Sequence, residues 1–232
     1  MVSKVVESVA AAVAGIADGA TIMIGGFGAA GMPAALIDAV IAHGAGQLTI
    51  VCNNAGTGET GLAALLKSGR VRKIICSFPR QSDSYVFDGL YRSGRIELEV
   101  VPQGTLVERI RAAGAGIGAF FTPTGFGTLL AEGKETRVID GRNYVLEHPI
   151  RADFALIKAL RGDRWGNLVY RKTARNFGPI MAAAARCTVA QVRQIEPLGS
   201  LDPEAIVTPG IFVQRIVAID VPDAQARAQA EA

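Results

Sequence analysis

DGATIMIGGFGAAGMP, Asp18 to Pro33, is the stretch on which the reading of the fold turns. Thr21 to Ile24 is a short apolar run. Glycines follow at Gly25, Gly26, Gly28 and Gly31, and Pro33 precedes Ala34 to Ile41, which reads as helix. A strand that turns through glycines into a helix beginning near a proline leaves backbone N–H groups uncovered. The positive end of the helix dipole then points at whatever sits above the turn. This turn is expected to be the floor of a site for an anionic or acyl ligand. Gly26, Gly28 and Gly31 also satisfy G-x-G-x-x-G, the dinucleotide fingerprint. That fingerprint wants an acid about 20 residues on, where this chain has TIVCNNAG, with Asn53 and Asn54 and no carboxylate. On these residues alone, a structural glycine turn and a dinucleotide site both stay open.

The rest of the composition narrows the class. At 232 residues, half of them hydrophobic and 19% charged, the chain has material for a sizeable core. Its 24 basic and 21 acidic residues are interspersed, leaving a net charge of +3. No basic block stands out, which argues against a nucleic-acid partner, while a mild positive bias suits small anions. Cys52, Cys76 and Cys187 lie far apart without metal-ligand spacing, and an odd count fits a reduced compartment. His43 and His148 are too few for an ordinary catalytic zinc site, so no metal is expected. With no signal-like or membrane-length apolar run, the expectation is a soluble, cytoplasmic protein with no membrane partner.

Taken in order, the chain alternates. Lys4 to Ile16 has near-helical apolar spacing, and the Asp18–Pro33 unit follows. Leu48–Cys52, Arg72–Cys76, Ile96–Val101 and Ala119–Phe121 read as strands, with helices over Gly61–Lys67, Ser84–Arg92 and Leu106–Ala112. Such alternation predicts an α/β fold: an open, mostly parallel sheet flanked by helices, with right-handed crossovers. After about residue 133 the pattern loosens into a smaller β-rich insertion, with a hairpin around Asp140-Gly141-Arg142-Asn143. Later strands are expected at Asp153–Ala159, Leu168–Tyr170, Cys187–Ile195 and Ile211–Ile219, and a helix over Asn176–Ala185, interrupted at Gly178-Pro179. Residues 1–220 are read as one domain and 221–232 as a frayed tail. Gly25-Gly26, Asn53-Asn54, Phe78-Pro79-Arg80, Pro102-Gln103-Gly104 and Thr124-Gly125-Phe126-Gly127 each follow a predicted strand. In open α/β sheets that edge is where ligands bind, so these loops are expected to share one rim.

These loops carry a resemblance. DGATIMIGGFGAAGMP, NNAG at Asn53, FPRQSDSYVFD at Phe78, EVVPQGTL at Glu99, PTGFGTLLAEGKE at Pro123, ADFALIKA at Ala152, GDRWGNLVYRKTARNFGP at Gly162 and VTPGIFVQRI at Val207 occur in family order. Together they cover nearly the whole chain, which resembles the A, or alpha, subunit of the family I 3-oxoacid CoA-transferases. The pairing of FPRQSDSYVFD with ARNFGP most resembles subunits serving 3-oxoadipate with succinyl-CoA. Subunits for acetoacetate, the alternative, often have Asn at the position of Gly178. The resemblance implies a CoA thioester as substrate, no tightly bound cofactor, and a B (beta) subunit, in an A2B2 assembly, that carries the nucleophilic glutamate in a Ser-Glu-Asn-Gly type motif. No such motif occurs here, and Glu59, Glu108, Glu132 and Glu147 read as structural or solvated. It implies Gln103 beside the reacting carbonyl as oxyanion stabiliser, and Gly25, Gly26, Phe27, Gly28, Ala29, Ala30 and Gly31 against the CoA or acyl group. Asn53 and Asn54 would orient the acid's carboxylate, with Arg80 as partner for a distal carboxylate. A noncatalytic CoA- or nucleotide-binding module is the reading from a different class.

Overall fold

The computed structural model describes residues Val2 to Ile219; the expected frayed tail lies outside them. Its first half runs α1 (Val9–Val13), β1 (Thr21–Ile24), α2 (Ala34–His43), β2 (Leu48–Val51), α3 (Leu62–Lys67), β3 (Val71–Cys76), α4 (Tyr85–Arg92), β4 (Glu97–Val100) and α5 (Gln103–Gly114). The second half comprises β5 (Phe120–Thr122), β6 (Thr136–Ile139), β7 (Arg142–Glu147), β8 (Ala152–Lys158), β9 (Arg161–Asp163), β10 (Leu168–Val169), α6 (Gly178–Ala184), β11 (Ala185–Val192), β12 (Gln194–Glu196) and β13 (Arg215–Ala218).

A seven-stranded sheet in the order β13-β11-β8-β1-β2-β3-β4 forms the middle layer, and all its strand pairs are parallel. Successive side chains point to opposite faces, and both faces are buried. On one side Ile22, Ile24, Ile50, Ile74 and Leu156 pack under α1 to α4 through Val13, Leu36, Val40, Leu65 and Phe87. On the other, Met23, Val51, Ile75, Ala155 and Ile157 pack under α5 and α6 through Leu106, Ile110 and Met181. A strand covered on both faces reads as a continuous apolar run, and TIMI and LTIV do so.

The β-rich insertion is the antiparallel sheet β5-β7-β6, and a second small sheet, β10-β9-β12, sits beside the late strands. The β6–β7 turn places Asp140 and Gly141 at φ 49° and 73°, the left-handed pair that two-residue hairpins use.

Several boundaries differ from the sequence reading. Residues 4–6 are extended, because Val5 bridges Ile216 and the Val6 N–H bonds Ile216 C=O, so only Val9–Val13 is helical. α5 begins at Gln103 immediately after Pro102, earlier than the expected Leu106. Gly178-Pro179 opens α6, since proline tolerates the first helical turn. The expected late strand Cys187–Ile195 is two: β11 ends at Val192 and the chain turns into β12 of another sheet. Gly210–Phe212 is a 3₁₀ turn, so β13 starts only at Arg215. β5 pairs antiparallel with β7 and never joins the main sheet. The loop at Thr124–Gly127 is therefore not on that sheet's rim.

Candidate active site

The carboxyl edge of the main sheet gathers the loops after β1, β2, β3 and β4 on one side, and the ends of β8 and β11 on the other. β1 sits at the point where the strand order turns, with β2 on one flank and β8 on the other. This is the switch point at which doubly wound sheets open a crevice.

Above β1 the glycine turn is a small self-closed loop. The Phe27 N–H donates to Ala30 C=O at 2.9 Å and the Ala30 N–H returns to Phe27 C=O at 3.2 Å. The Gly25 N–H donates to Leu156 C=O, and the Gly26 N–H to Asn176 Oδ1 at 3.2 Å. The expectation of an uncovered backbone therefore narrows: among the described residues only the N–H groups of Gly28, Ala29 and Gly31 have no protein acceptor in this turn. The start of α2 is also engaged, because Gln191 Oε1 accepts from the Leu36 N–H.

Asn176, expected from the sequence only as the start of a helix, precedes α6 and holds the turn from the opposite side. Its Nδ2 donates to Ala30 C=O at 2.9 Å and to Thr173 C=O at 3.1 Å, while Oδ1 takes the Gly26 N–H. Gly31, at φ 75°, lies so close to this segment that a Cβ there would stand 2.3 Å from Ala174 O. Only glycine fits such an approach.

On the β2 flank, Asn53 is buried and is the hub of an amide cluster. Its Oδ1 accepts from Gln103 Nε2 at 2.7 Å and from Ser77 Oγ at 2.8 Å. Both of its acceptor positions are filled, which leaves the Asn53 Nδ2 and the second Gln103 N–H as donors. Gln103 is the first residue of α5, so its exposed amide stands at the positive end of a three-turn helix. Asn54 faces its own loop: its Oδ1 accepts from the Gly56 N–H at 2.8 Å, an Asx-type closure. Arg80 is turned toward α4, where its Nε donates to Asp88 Oδ1 at 2.6 Å. The structure thus brings Gln103, Asn53 and the glycine turn to one edge, while Asn54 and Arg80 there already have protein partners.

No nucleophile is prepared in these loops. Burial raises the Cys52 thiol well above its ordinary value, and Cys76 is pushed up to about 12, also by burial. Both stay protonated and weakly reactive. The one glutamate in the loops, Glu59, is exposed and tied to Lys67 at 2.8 Å; that hydrogen bond and charge lower its pKa. Glu147 is buried, but between Lys134 and Arg109 in the insertion. Glu108 pairs with Arg111 on the exposed side of α5. Among the described residues no group of three or more His, Cys, Asp or Glu is placed to hold a metal, and no helix is long and apolar enough to cross a membrane.

Residues 6–218 match the Coenzyme A transferase family. The chain is 73% identical to the A subunit of the 3-oxoadipate CoA-transferase of Pseudomonas putida, over 94% of this chain and 95% of that one. It is 50% identical to the A subunit of the succinyl-CoA:3-ketoacid coenzyme A transferase of Xanthomonas campestris pv. campestris, over 92% and 88%. Among solved structures it resembles an acyl-CoA transferase from Escherichia coli O157:H7, crystallised as a thioester complex with CoA. That match has a TM-score of 0.82 at 22% identity and covers 94% of this chain but 47% of the other. The likeness at that identity is one of fold, and this chain spans about half the length of that protein.

Proposed function

The chain belongs to the coenzyme A transferase family, and from that premise we propose that it is the A subunit of an enzyme moving CoA from succinyl-CoA to 3-oxoadipate. The observation that carries this reading is a rim rich in neutral donors whose one glutamate, Glu59, is already paired. Such a rim stabilises charge and does not initiate attack, so the nucleophile comes from a B subunit. The assembly is A2B2, cytoplasmic, with no resident cofactor.

The chemistry is acyl transfer through the partner's glutamate. The carboxylate attacks the thioester carbonyl, the C–S bond breaks, and CoA thiolate leaves a mixed anhydride. The thiolate then attacks the glutamyl carbonyl, releasing succinate and leaving a glutamyl thioester. 3-Oxoadipate reverses the sequence and departs as its thioester, so atoms and charge balance without an oxidant. At each attack a carbonyl oxygen gains negative charge. The free Gln103 N–H and the Asn53 Nδ2, fixed by their mutual bond, meet that charge without reorganising. The N–H groups of Gly28, Ala29 and Gly31 line the acyl or CoA path along the turn.

Mixing the purified chain with a B subunit creates transferase activity that neither has alone; activity in the isolated chain would refute this division of labour. Gln103→Ala lowers kcat of the mixture by at least about tenfold, since one lost oxyanion donor typically costs 10²–10³, with an unaltered circular dichroism spectrum. Turnover of 3-oxoadipate against acetoacetate in the same mixture decides the acid.

A further inference from the structure

Ser77, the first residue after β3, is half-buried and meets Asn53 at two places. Its Oγ lies 2.8 Å from Asn53 Oδ1 and 3.1 Å from Asn53 C=O. The hydroxyl has one proton to give. The Asn53 carbonyl already accepts two N–H groups, from Ser77 at 3.2 Å and from Phe78 at 3.0 Å, and its two lone pairs are then used. The proton therefore goes to Oδ1, which is also the shorter contact. The backbone fixes this meeting. β2 and β3 pair as far as Val51 and Ile75, the Cys52 N–H continues the ladder to Ile75 C=O, and Asn54 bridges Phe78. Main-chain bonds on both sides of it thus carry Ser77 against Asn53.

We infer that Ser77 is a positioning residue for acyl transfer, its hydroxyl deciding which end of the Asn53 amide is left free. The inference rests on the acyl-transfer reading and names what gives its donor pair the right polarity. The oxygen and nitrogen ends of a carboxamide are nearly alike in size, so packing does not tell them apart; only neighbouring donors and acceptors do. Gln103 cannot make the choice. It is exposed, and its amide has no other protein partner among the described residues. If both amides turned over together, Asn53 Nδ2 would donate to Gln103 Oε1 and their mutual bond would survive. The free end of Asn53 would then be an oxygen, which repels the charge that Nδ2 stabilises. Ser77 breaks the tie. With Asn53 turned over, the hydroxyl would accept from Nδ2, and its own proton would be left facing a carbonyl whose acceptor positions are filled. One hydroxyl thereby holds Asn53 with its N–H end free before any substrate arrives.

The test is a double-mutant cycle in the reconstituted A–B enzyme, read as kcat and as KM for succinyl-CoA with 3-oxoadipate as acceptor. Ser77→Ala lowers kcat about two- to tenfold, the scale of one neutral hydrogen bond. KM for succinyl-CoA stays unchanged, because the oxyanion exists only in the transition state. Asn53→Ala removes the amide and lowers kcat at least about tenfold; adding Ser77→Ala to it brings no further fall, since nothing is left to orient. Asn53→Asp, which keeps the shape of the side chain but not its N–H donor, is the second background and gives the same absence of a further fall. The same loss from Ser77→Ala in every background would make its role structural and overturn the inference. An unchanged kcat in Ser77→Ala alone would overturn it, and so would a raised KM at constant kcat, which would assign Ser77 to substrate binding. Absence of transferase activity in the wild-type mixture would reject the acyl-transfer reading and the inference with it, whereas an additive cycle in an active mixture would reject the inference alone.

Discussion

Asn176 ties together segments up to 150 residues apart, through two accepted and two donated hydrogen bonds. Asn176→Ala strips partners from the N–H groups of Gly26 and Phe177 and from the carbonyls of Ala30 and Thr173. Water reaches part of this turn, so the expected loss is about 1–3 kcal/mol, read as a lower urea midpoint, with a larger proportional loss of activity in the A–B mixture. Asn176 was not legible as part of the site. ADFALIKA and ARNFGP supplied resemblance without roles, because a side chain's partner across a fold is set by strand order, and strand order is not written locally.

At the scale of elements, Arg109 fastens α5 to two sheets. It pairs with Glu99 at 2.9 Å, lies 3.7 Å from Glu147 and donates to His148 C=O at 2.7 Å. Burial alone would raise the Glu99 pKa, but hydrogen bonds from Lys73 and Arg109 outweigh it and hold the carboxyl below its ordinary value of 4.5. Glu99 thus contributes stability that is present above that ordinary value and is lost as pH falls through the lower folded one. In Arg109→Gln the pH-dependent part of this stability shrinks and its loss is complete at higher pH, and Glu147 keeps only Lys134; the expected destabilisation is roughly 2–4 kcal/mol. Thermal melts from neutrality down to about pH 3, below the ordinary carboxylate value, measure both effects. The rim elements were legible, since Gly, Asn and Pro after apolar runs announce turns whatever the topology. β5 was misplaced for the opposite reason: three residues carry no sign of whether their partner is parallel or antiparallel, and its pairing with β7 is a long-range choice.

At the scale of the molecule, the rim exposes two large aromatic side chains. Phe27 is 53% exposed and Phe78 59%, both in loops at the carboxyl edge. If the proposed B subunit seats over that edge it covers them, and adding it then raises the melting temperature of this chain by linkage. Phe27→Ser and Phe78→Ser weaken association, read by titrating the B subunit against activity, and leave the melt of the isolated chain within a few degrees of wild type.

β1 stands in the middle of its sheet, yet β8, its neighbour on one flank, begins only at Ala152, and the side chain that pins the turn above β1 comes later still, at Asn176. On the ribosome, the first strand to emerge is therefore among the last to be completed. Half-made chains leave one long edge of β1 open, with its amides ready to pair with any neighbouring strand. Nascent copies of this protein are most vulnerable to clumping early in synthesis, and a chaperone that shields TIMI until the second half arrives has the most to protect.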